Sequence, residues 1–150
     1  MNQRAMQFVK AFIAGFVSTL VFHQGVLGLF YLTGASPRKP YDLGAVPPLG
    51  IPAVISLAFW GGVWGAAIWV FLKETAGAAY WVRAVVLGAI GPSAVALFIV
   101  FPLKGMPIAG GWDPKLIVGA LILNGAWGAG LALLMRLLQR APRFGPKTPP

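Results

Sequence analysis

Apolar residues are gathered into four long runs, at 8–32, 51–72, 84–103 and 116–138. Each is at least as long as the roughly 20 residues a helix needs to cross the hydrocarbon of a bilayer. Between them the chain turns polar or rich in glycine and proline. Pro52 and Pro114 stand where the second and fourth helices should begin, a place where a missing amide hydrogen costs nothing. Asp113 directly before Pro114 reads as an N-cap. Tyr31, Tyr80, Trp81 and Trp112 fall near run ends, as in an aromatic belt. The pattern predicts an all-α membrane protein, a single domain over 1–140 with four transmembrane helices in a compact bundle. The connection 33–50 holds Pro37, Pro40, Pro47 and Pro48 and should form an extended or turn-rich cap. The first run exceeds the roughly 7–15 apolar residues of a signal-peptide core and contains His23 and Gln24, so it is expected to be retained.

Composition agrees. Of 150 residues, 58% are hydrophobic and 10% charged, against about 25% charged in ordinary soluble domains. With no cysteine, disulfides and thiolate metal sites within the chain are excluded. Twelve Lys and Arg face three Asp and Glu, a net charge of +9. Four spans place both termini and the middle loop on one side. That side carries Arg4, Lys10, Lys73, Arg83, Arg136, Arg140, Arg143 and Lys147, while Arg38, Lys39, Lys104 and Lys115 lie on the other. The positive-inside rule then puts both termini in the cytoplasm. The tail 141–150 is basic and Pro-rich and is expected to be disordered. Arg136, Arg140, Arg143 and Lys147 should meet lipid headgroups and fix topology. Nucleic acid is not expected as a partner, because the cations flank apolar spans and form no recognisable binding motif.

The second and fourth runs share a pattern. Gly62-Val63-Trp64-Gly65-Ala66 followed by Lys73 matches Gly125-Ala126-Trp127-Gly128-Ala129 followed by Arg136, at a constant offset of 63. The first and third match at an offset of 73, Lys10-Ala11 through Gly15 against Arg83-Ala84 through Gly88. This predicts a parallel pseudo-repeat of two helix hairpins, an arrangement that in transporters places sites between the halves. Gly61 and Gly65 have GxxxG spacing; Ala126 and Gly130 are its small-residue counterpart. Gly15, Gly61, Gly62, Gly65, Gly88, Gly125, Gly128 and Gly130 are the expected helix-packing positions, since small residues let backbones approach closely in lipid.

All three acids fall in loops or at run ends, which speaks against carboxylate proton pumps and paired-carboxylate catalysis. The candidate binding residues are His23, Gln24, Thr19, Trp60, Asn124 and Trp127. Counted at about 1.5 Å per residue, His23 and Asn124 both fall roughly 4–5 Å outward of the span midpoints. Ser93, next to Pro92, lies near the middle of the third run. Two readings stay open: an interhelical hydrogen-bond knot, or an outward-facing polar pocket for a lipid or quinone. No catalytic set, metal site or cofactor is expected. The chain resembles small bacterial inner-membrane proteins in general appearance, a resemblance that implies no mechanism. The function expected is that of a non-enzymatic accessory or structural protein, packing with itself as a homo-oligomer or with a larger membrane complex. The alternative is a small transporter or ligand-binding protein.

Overall fold

A computed structural model describes residues 2–140; the basic tail 141–150, with Arg143 and Lys147, lies outside them. Four helices are long and apolar enough to cross a membrane: α1 (Gln3–Leu32), α2 (Ala53–Leu72), α3 (Gly77–Leu103) and α4 (Pro114–Arg140). Their starts follow local chemistry. The Asn2 side-chain oxygen accepts the Ala5 N–H at 2.8 Å and starts α1 five residues before the apolar run. The α3 helix begins at Gly77, seven residues ahead of the expected 84, and so carries Arg83 on an exposed face of its second turn. Pro52 occupies the N-cap position of α2. Asp113 caps α4 as expected, its carboxylate accepting the Lys115 N–H at 2.9 Å.

Two helices carry a widened π-helical turn, at Thr19–His23 in α1 and Ala96–Val100 in α3. Such turns hold one extra residue and leave a carbonyl free for another partner. In α1 the Leu20 carbonyl takes the Tyr41 hydroxyl at 2.9 Å. Pro92 removes one backbone donor from α3, yet the helix runs on to Leu103.

The α1–α2 and α3–α4 pairs make the most extensive helix contacts; α1 joins them by lying against α4, and α2 meets α3 lightly. Lys10 Nζ donates to the Leu138 carbonyl at 2.8 Å, so the start of α1 and the end of α4 share one end of the molecule, the terminal end. The main core lies toward that end: Leu72, Leu131 and Met135 are fully buried beside Trp69, Tyr80 and Trp127. Outer faces are apolar, with Val21, Phe59, Phe71, Ile90, Ile122 and Leu137 exposed. A third or less of each span is buried within the chain. An apolar exterior this extensive suits lipid as solvent.

The connection after α1 does more than cap it. It folds back along α1, with Pro40 lying over Gly28, where an added methyl would stand 3.6 Å from the proline ring, and Tyr41 reaching Leu20. A two-stranded antiparallel ladder, β1 (Ala45–Val46) with β2 (Ile51–Pro52), then leads into α2. At the same loop end, Ala109, Gly110, Gly111 and Trp112 all have positive φ, between 51° and 76°. This single left-handed turn costs an L residue roughly 1–2 kcal/mol, and glycine fills its two middle positions. It buries Ala109 completely and turns Trp112 outward over Phe98, ring centroids 5.8 Å apart.

Candidate functional site: a polar clasp and two cavities

Midway along the helices, Trp127 and α1 hold each other by two hydrogen bonds of opposite sense. The indole Nε1 donates to the Gly15 carbonyl at 2.9 Å, and the Trp127 carbonyl accepts from Ser18 Oγ at 2.7 Å. Thr19 Oγ1 also donates to the Gly15 carbonyl, at 3.0 Å. Ser18, Thr19 and Trp127 are buried. The clasp leaves no donor of these three side chains idle, which a lipid-facing environment demands. Ser18 is the member that sequence reasoning missed. Its signal was a Ser-Thr doublet in an otherwise apolar stretch.

Small residues surround the clasp. A methyl placed on Gly15 would stand 3.0 Å from Gly65 Cα and closer still to the Gly61 carbonyl. One on Gly65 would collide with the Ala11 carbonyl and stand 3.0 Å from Gly15 Cα. In the other pair, a methyl on Gly88 would lie 2.8 Å from Gly128 Cα and 3.0 Å from the Asn124 carbonyl. One on Gly128 would collide with the Ala84 carbonyl. Gly61 faces Thr19 Oγ1, Gly62 lies under the Phe12 ring, and Gly130 fits between Ser18 and Phe22. Gly125 departs from the expectation. A methyl there would make only ordinary contact with Ala89 and Val85, at 3.6 and 3.8 Å, so close packing does not require glycine at that position.

The remaining polar residues separate into two groups. Half-buried His23 lies with Nδ1 3.3 Å from Gln24 Nε2, and the Gln24 side-chain oxygen accepts the Tyr41 N–H at 2.7 Å. Gln24, 3% exposed, thereby ties the α1–β1 connection to α1. Asn124 donates from Nδ2 to Ser93 Oγ at 2.9 Å, across α3 and α4. Among the described residues no hydrogen bond joins the two groups. Trp60 belongs to neither: it is 58% exposed and meets Phe59 edge-on at 5.7 Å, on the outer face of α2. A pocket wall at Trp60 is therefore corrected to an outward-facing ring.

Two cavities flank this middle layer. Toward the loop end, about 200 Å³ opens between α3, the left-handed turn and α4. Its lining is apolar, Leu97, Phe98, Trp112 and Leu121 among others, with the Ser93 of the Asn124 pair at its edge. At the terminal end a second cavity of about 330 Å³ includes Arg136 and Arg140. Arg136 lies over the Tyr80 and Trp81 rings, at 4.7 and 5.4 Å from their centroids. Tyr80 hydroxyl donates to the Ala132 carbonyl at 3.0 Å.

No known protein family, curated protein or solved structure matches the chain.

Proposed function

We propose that the chain is a small multi-pass membrane protein of the bacterial inner membrane with a non-enzymatic role. In this reading it is an accessory or structural subunit that packs with itself or with a larger membrane complex. The carrying observation is how its mid-membrane polar groups are used. Ser18, Thr19, Trp127, Asn124 and Gln24 all spend their hydrogen bonds on other parts of the same chain. They act as internal fasteners, and the outward helix faces are left apolar for neighbours in the bilayer. A parallel repeat of two hairpins is supported by matched contacts. Gly15 opposite Gly61 and Gly65 corresponds, through the offsets 73 and 63, to Gly88 opposite Asn124 and Gly128. Purification in nanodiscs with mass measurement tests the reading. A defined homo-oligomer or a stoichiometric protein partner is expected, and a lone monomer at native abundance would overturn it.

A second reading, ligand binding, draws on the loop-end cavity, where the Asn124–Ser93 pair borders apolar walls. It keeps the ligand class expected for His23 and Asn124, a lipid or quinone, and places the site toward Asn124. A co-purifying small molecule that is lost in Asn124→Leu but kept in His23→Ala would favour it.

A further inference from the structure

We propose that the terminal-end cavity is a phosphate-binding pocket, filled by the headgroup of an anionic phospholipid. The inference stands apart from the accessory role and needs only the cavity's own chemistry. The pocket lies between the α2–α3 turn and the last turn of α4, with Lys73, Thr75, Ala76, Tyr80, Arg136 and Arg140 around it. Its volume of about 330 Å³ is within the range of small-ligand sites.

Arg136 is the centre of the argument. Two aromatic rings hold its guanidinium in place, which fixes the donor fork before any ligand arrives. Among the described residues no carboxylate pairs with it. The ion pair present there, Lys73 with Glu74 at 3.8 Å, is solvent-exposed and long, and Asp42 and Asp113 lie at the opposite end. Three cations thus converge with one weakly held acid nearby. The α3 helix also starts here. Its N-cap residue, Ala76, lines the pocket and supplies no side-chain acceptor. Thr75 is already spent, its hydroxyl donating to the Leu72 carbonyl at 2.8 Å. A guanidinium fixed by two rings, with two further cations lining the same cavity, suits a tetrahedral, multiply accepting oxyanion.

The surroundings select a lipid as the carrier of that phosphate. Buried Trp69 and Leu72 line the cavity, and Phe71 and Leu137, next in sequence to the lining residues Leu72 and Arg136, are exposed apolar residues on α2 and α4. That apolar wall offers an acyl chain a contact that a free ion would not use. Basic pockets between membrane helices hold anionic headgroups in this way.

The purified full chain in mild detergent is offered phosphatidylglycerol or phosphatidylcholine of the same acyl composition, and retained lipid is read by native mass spectrometry. Retention of phosphatidylglycerol is expected to exceed that of phosphatidylcholine by at least tenfold. Lys73→Gln with Arg140→Gln, both at exposed positions, should cut this preference to within twofold. Arg38→Gln with Lys39→Gln removes the same charge from the loop end and should leave it intact. Equal retention of the two lipids, or equal loss in both double variants, overturns the pocket. If 10 mM inorganic phosphate displaces the lipid and raises Tm by itself, the occupant is free phosphate and the lipid assignment falls.

Discussion

At the scale of single residues, two glycines three positions apart have different jobs. Gly128 Cα stands against the Ala84 carbonyl and Gly88, whereas Gly125 has room for a methyl. Gly128→Ala should destabilise the protein by about 1–3 kcal/mol, the usual cost of overpacking a tight contact. Gly125→Ala should be neutral or slightly stabilising, because alanine is the better helix former. Thermal unfolding of both variants in one detergent checks the pair, and equal losses would mean that glycine is needed for some reason other than approach distance. The sequence pattern could not separate them. Gly125 and Gly128 sit in the same repeated Gly-x-Trp-Gly stretch, and only the rotation of α4 against α3 tells which one points at a backbone. Trp127 was legible as a bundle residue, but not its use of both indole and carbonyl, which depends on Ser18 arriving from α1.

Among the elements, the four spans were readable because an unbroken apolar run has one stable solution in a bilayer. Their ends were less so. Gln3 and Arg4 continue α1 because Asn2 caps it, a signal easily passed over in a short polar lead. The connection between α1 and α2 was expected as a cap over the end of the helix, and it descends instead. Leu20 lies twelve residues before the end of α1 at Leu32, and at about 1.5 Å per residue Tyr41 therefore reaches roughly 18 Å down the helix. That path is set by contacts across 17 and 21 residues of sequence, Tyr41 with Gln24 and with Leu20, which no local pattern encodes. Gln24→Leu and Tyr41→Phe should each loosen this segment without unfolding the helices. Amide exchange in residues 41–54 is expected to quicken severalfold in both variants while the α3–α4 pair keeps its protection. Unchanged exchange would show that packing of Pro40 on Gly28 suffices.

For the molecule as a whole, charge and hydrophobicity act together on orientation. The cations at the terminal end, Arg4, Lys10, Lys73, Arg83, Arg136 and Arg140, outnumber Arg38, Lys39, Lys104 and Lys115. The absence of cysteine allows a clean test. Ser36→Cys should react with a membrane-impermeant maleimide in intact cells, and Ala78→Cys only after permeabilisation. The reverse pattern would place the termini outside. The Trp127 clasp also bears on how the molecule is made. Its two halves come from α1 and α4, 109 and 112 residues apart along the chain. Until α4 is in place, Ser18 lacks its Trp127 acceptor and the Gly15 carbonyl keeps only the Thr19 hydroxyl, so α1 and α2 wait as an open pair. Helix α4 is made after α1 and latches it, so a chain cut short before Trp127 is born with its latch missing.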